Sequence, residues 1–274
     1  MRSFNLLTPL LFTVPSSSLF ILLPLYEYPG SSASAWANVT AAVAAYPDVQ
    51  WQVIINPDSG PGTSPNSYPT DANYITGISK LNSYPNVITL GYVDTGFTNT
   101  PYTEVVSNIS TYAYWASYTE ANISIGGIFL DDVSNSGAKA ALTYYHNASA
   151  YAYKCVPSDV TPVVFNPGSL GPNALFSYCD TMVEFESPLS SYNNTNATTI
   201  KTLPTAYLSQ SAIIIYDTTS ATDVQGLVHT MSQYDIGAVY LDPGACTYKD
   251  QPTGCYNYLG LTNLEQLAAA VRAG

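Results

Sequence analysis

Ile128-Phe129-Leu130-Asp131-Asp132 runs from three large apolar side chains into two adjacent carboxylates. Met182-Val183-Glu184-Phe185-Glu186 repeats the pattern with two glutamates. An apolar run of this length reads as a buried strand, and ionised groups at its end are costly unless they are used or paired. In a barrel of parallel strands, acids at the carboxyl ends of strands lie on the rim that carries catalysis.

Outward from these two runs, six more recur at intervals of roughly 25 to 40 residues. The eight are 19–26, 50–55, 87–93, 125–131, 161–166, 181–186, 211–216 and 236–241. They are nearly continuous in apolar character rather than alternating, as suits parallel strands covered on the outside by helices. Helical patterns fall between them at 33–45, 71–82, 103–118, 136–153, 222–233 and 262–272. Thr222 with Gln225 and Thr262 with Glu265 each match a capping box. Residues 168–178 offer little more than a turn, and 187–205 reads as loop. Strand–helix alternation eight times over predicts a single-domain (β/α)8 TIM barrel across 19–274, with a flavodoxin-like open sheet as the alternative.

Composition narrows the function. The 274 residues include 7 basic and 19 acidic side chains, a net charge of −12. That excludes nucleic acid and anionic membrane as partners, since both are held by Lys and Arg. Residues 1–18 read as a secretory signal or a disordered N-terminus, too short to span a bilayer. Six sequons, at Asn38, Asn108, Asn122, Asn147, Asn193 and Asn196, support secretion to the exterior or cell wall. Four cysteines suit two disulfides in an oxidising compartment; the barrel topology pairs Cys155 with Cys179 and Cys246 with Cys255. A monomer without cofactor is expected.

The two histidines, His146 and His229, fall in helical patterns, and no zinc cluster, Gly-x-Ser-x-Gly or phosphate loop occurs. What remains is a ring of rim acids: Glu27, Asp58, Asp94, Asp131, Asp132, Glu184, Glu186, Asp217 and Asp242. Paired carboxylates are the equipment of glycosidic cleavage. Tyr26, Tyr28, Tyr92 and Tyr240 offer faces for sugar rings, and Asn56 and Asn166 offer amides. The bland alternatives are helix caps for the acids and packing beneath loops for the tyrosines.

Tyr26-x-Tyr28-Pro29, Asn56-Pro57-x-Ser59-Gly60-Pro61-Gly62, Asn86-Val87, Gly91-Tyr92-Val93-x-Thr95, Gly127 to Asp132, Phe165-Asn166-Pro167-Gly168 and Phe185-Glu186 together resemble the spherulin-4 family. The resemblance runs from about residue 20 to the last strand. It implies a (β/α)8 glycoside hydrolase that cuts α-1,4-linked N-acetylgalactosamine in fungal galactosaminogalactan. The family's acidic pair falls on Asp131 and Asp132, and its strand-six glutamate on Glu186; the family often carries Asp-Glu where this chain has Asp-Asp. A carbohydrate-binding wall or spore protein without turnover is the alternative.

Overall fold

The computed structural model describes residues 19–158, 160–192, 205–244 and 260–274. Eight parallel strands close into a barrel in sequence order. They are β1 (Phe20–Leu25), β2 (Trp51–Ile55), β3 (Val87–Asp94), β4 (Gly127–Asp131), β5 (Val163–Phe165), β6 (Thr181–Pro188), β7 (Ser211–Tyr216) and β8 (Ala238–Leu241). Helices α1 (Ala37–Ala45), α2 (Ala72–Leu81), α3 (Tyr102–Tyr114), α4 (Lys139–Cys155), α5 (Val224–Gln233) and α6 (Leu261–Ala273) cover the outside. Closure rules out the open-sheet alternative. All eight apolar runs became strands because both their faces are covered: Ile21, Leu23, Val53, Phe129, Val164 and Ile215 have no exposure.

Between β5 and β6 a 3-10 turn, Asn173–Ser177, replaces a helix. Beyond 186, strand β6 continues to Pro188 rather than opening into loop. The two capping boxes do not form. Asp223 caps α5 by accepting from Gly226 N at 2.9 Å, while the Thr222 hydroxyl is taken by Thr219 N at 2.8 Å. Gly260 precedes α6 with no side-chain cap, which leaves Thr262 inside the first turn.

Motif residues outside the site have packing reasons. Asn86 is buried, and its amide donates to the carbonyls of Val43, Tyr46 and Val49 at 3.3, 3.1 and 3.0 Å, which fastens the α1–β2 turn. A Cβ at Gly91 would stand 2.5 Å from the Tyr112 ring, whose hydroxyl donates to Ile55 O at 3.1 Å.

The pairing of Cys155 with Cys179 is corrected: both are free thiols. Cys155 ends α4 within electrostatic reach of Tyr102 on α3. Cys179 is buried beside Asp180 and Glu184 and its thiol donates to Leu175 O at 3.5 Å, so the two sulfurs serve different neighbourhoods. Cys246, Cys255, Asn193, Asn196 and residues 1–18 lie outside the described residues. Asn38, Asn122 and Asn147 are exposed and Asn108 is half-buried. No helix among the described residues is long and apolar enough to cross a membrane.

Candidate active site

Register brings the acids together. Asp94 on β3 pairs with Asp131 on β4, and Leu130 pairs with Phe165, so Asn166 follows at the level of Asp131. On β6 a bulge intervenes: Val183 opposes Ala212, but Phe185, not Glu184, opposes Ile213. The extra residue reverses the alternation of facing. Glu186 therefore shares the face of Val183 and turns toward Asn166, while Glu184 stays with Met182 beside Gly171. Strict period-two reading places both glutamates together; the bulge separates them.

The centre of the site is one amide. Asn166 Nδ2 donates to Asp131 Oδ1 at 2.8 Å and to Glu186 Oε2 at 2.7 Å. The Asn166 carbonyl oxygen accepts from Gly168 N at 2.9 Å, which fixes which end of the amide faces the acids. Gly168 sits at φ +64, a conformation that glycine adopts without strain, and its carbonyl accepts from Glu186 N at 3.1 Å. Tyr92 OH donates to Asp131 Oδ2 at 2.6 Å, so both oxygens of Asp131 are held by side chains of other strands. Burial, and then the neighbouring charge of Glu186, push the Asp131 carboxyl up to about 7; the Tyr92 bond works against the rise.

Asp132 stands one step out. Burial, and then Asp94, raise its carboxyl, and its backbone takes φ +49. Its position depends on Thr95, which is fully buried. The Thr95 hydroxyl meets the carbonyls of Asp131 at 2.7 Å and Asp132 at 2.8 Å. Thr95 is a support that residue-type reasoning missed; its place in Gly91-Tyr92-Val93-x-Thr95 was the available signal.

The tyrosines divide. Tyr26 lies edge-on to Tyr92, ring centroids 5.6 Å apart, and burial and then Asp131 raise its hydroxyl's pKa. Tyr28 is 49% exposed, with its hydroxyl tied to Asp71 at 2.7 Å. An open stacking face is not found at Tyr92, which is 8% exposed and packs on Phe129, nor at Tyr240, which is 1% exposed in the barrel core. Asp242 has no exposure, and its Oδ1 accepts from Gly244 N at 2.9 Å. That bond gives one oxygen a turn-capping role on its own loop. Asn56 keeps a buried Oδ1 with no hydrogen-bond partner among the described residues, an acceptor ready for a donor. No group of three or more metal-ligating side chains occurs among the described residues.

Known proteins resemble this chain along most of its length. Spherulin-4 of Physarum polycephalum is 33% identical over 265 residues, 94% of this chain and 71% of that protein. The crystal structure of Aspergillus clavatus Sph3 in complex with GalNAc is similar at a TM-score of 0.80 and 28% identity, over 92% of this chain and 98% of that one. The family model described as Spherulin4, spherulation-specific family 4, matches residues 20–271 and so spans all eight strands. The chain belongs to the spherulin-4 family.

Proposed function

We propose that this chain is a secreted glycoside hydrolase that cleaves α-1,4-linked N-acetylgalactosamine within fungal galactosaminogalactan. The observation that carries the reading is the Asn166 amide shared by Asp131 and Glu186. The similarity to a structure holding GalNAc supports the choice of sugar.

The geometry suits a double displacement. Two oxygens bound to one planar amide nitrogen lie about 5 Å apart, the spacing of carboxylate pairs that act with retention. A water does not fit between groups so close, so one carboxylate must itself attack. The donors on both oxygens of Asp131 oppose the rise that burial and Glu186 impose on its carboxyl, and Asp131 takes the role of nucleophile. Glu186 is the acid. It protonates the glycosidic oxygen as Asp131 attacks the anomeric carbon, and the leaving chain departs with a free hydroxyl. Glu186 then takes a proton from water, which attacks the glycosyl ester and frees Asp131. Asp132 adds negative potential beside the developing positive charge of the sugar ring. The orphaned Asn56 Oδ1 accepts the acetamido N–H.

The test is incubation of the protein with de-branched and native polymer while reducing ends and product anomers are followed by proton NMR. Internal cleavage with an α-product appearing first supports the reading. Saturable binding with no new reducing ends would instead establish a carbohydrate-binding barrel. Exposed sequons at Asn38, Asn122 and Asn147 predict a mobility shift on endoglycosidase treatment of the protein recovered from culture medium.

A further inference from the structure

Phe97 is 53% exposed, the most open aromatic ring among the described residues. It also sits at φ +54, ψ +37, the left-handed region that bulky side chains avoid. Nine described non-glycine residues have positive φ, and Phe97 is the sole aromatic among them. Solvent exposure of a phenyl ring gives no folding benefit, and the backbone there is strained as well. The backbone conformation belongs to a left-handed turn shared with Gly96 and Thr98, but that turn does not call for an exposed phenyl ring.

The loop is held firmly. Gly96 N donates to Asp94 Oδ1 at 2.7 Å, Thr98 N to Thr95 O at 2.9 Å, and Asn99 Nδ2 to Gly96 O at 2.7 Å. Phe97 N donates to Asp132 O at 2.7 Å, so the ring is carried on the residue latched to the acidic pair. The same loop supplies Asp94 and Thr100 to an open polar depression of about 490 Å³, shared with Asp58, Glu104 and Asn108.

We propose that Phe97 is a stacking platform for one pyranose ring of the polysaccharide, beside the unit that is cut. This rests on the hydrolase reading above. A pyranose presents an apolar C–H face that a preset phenyl ring covers without losing side-chain entropy on binding. The positive φ fixes the direction of the Cα–Cβ bond and so the side of the loop on which the exposed ring stands.

The experiment compares wild type with Phe97→Ala, Phe97→Trp and Phe97→Gly on galactosaminogalactan oligosaccharides, with melting curves for each. Phe97→Ala should raise KM about tenfold with kcat held within about threefold, and Phe97→Trp should restore KM. Phe97→Gly should raise KM equally yet melt a few degrees higher, since glycine relieves the positive φ. A wild-type KM in Phe97→Ala overturns the platform while leaving the hydrolase reading standing. A fall in melting temperature for both Ala and Gly variants at unchanged KM overturns it in favour of loop packing. Wild-type protein that neither binds nor cuts the oligosaccharides sinks the hydrolase reading and the platform with it.

Discussion

Asp131 ends β4 and Asp242 directly follows β8, diametrically opposite on one rim, each after an apolar run. The donors described for each differ in where they come from. Asp242 accepts from Gly244 N, two residues along its own turn, and Asp94 does the same with Gly96 N. Asp131 accepts from Tyr92 on β3 and from Asn166 after β5. A carboxylate that accepts from its own loop shapes that loop. One satisfied by side chains from two other strands is held in place at a cost in chain order, and its position is what those strands preserve. The contrast separates site acids from structural acids better than burial does, since Asp242 is the more buried of the two.

The sharpest way to break the contrast is to remove each charge. Asp131→Asn and Glu186→Gln should each lower kcat by about 10³-fold or more with melting temperature nearly constant. Asp242→Ala should do the reverse, lowering melting temperature with a far smaller loss of rate. Equal rate losses at 131 and 242 would dissolve the distinction. Next in size is Asn166→Ala, which frees both carboxylates from their shared donor. It should cost about 10²-fold in kcat, on the scale of one preorganised donor. Retained rate there would mean that the amide is a bystander.

Tyr92→Phe should have a smaller effect, and its sign is set by the bond it removes. The Tyr92 hydroxyl lowers the Asp131 pKa, so its loss raises it. The ionised form of Asp131 is then lost at higher pH as acid is added. The acidic limb of kcat/KM should move upward, with a loss of about tenfold on that limb and little change at alkaline pH. A downward shift would contradict the hydrogen-bond assignment.

The smallest effect concerns Glu184, which burial pushes up to about 8 and whose Oε1 has no partner among the described residues. The folded form keeps a proton that the unfolded chain releases near the ordinary glutamate value. Stability therefore falls as pH rises from about 4.3 toward 8. Glu184→Gln should melt higher than wild type at pH 8, with the gap closing by pH 5. A gap independent of pH would assign the difference to packing alone.

These contrasts also show what the chain reveals before it folds. Eight near-continuous apolar runs were legible because a covered parallel strand has no polar face to interrupt it, and the barrel follows from their number and spacing. Asp131 was legible as a strand-end acid, and Glu186 as an acid closing an apolar run, although β6 continues two residues past it. The bulge at Glu184 was not, because nothing in Met182-Val183-Glu184-Phe185-Glu186 distinguishes a regular strand from one with an extra residue. The burial of Tyr92 and Tyr240 was hidden for a related reason. Tyrosine suits both an open platform and a barrel interior, and only the direction of its Cα–Cβ bond decides. The caps failed where Asp223 outcompeted a neighbouring threonine for the same orphan amides.

The Thr95 hydroxyl has a consequence for anyone who would re-engineer this rim. One hydroxyl on the β3 loop holds two successive carbonyls on the β4 loop, and Phe97 N adds a third link. The two loops are thus a single interchangeable part, not two. A graft that brings a foreign β3 loop without a hydroxyl at this position would let the acidic segment drift even if every acid were kept. Exchange of specificity between barrels of this kind is best made by moving residues 94–98 and 131–133 together.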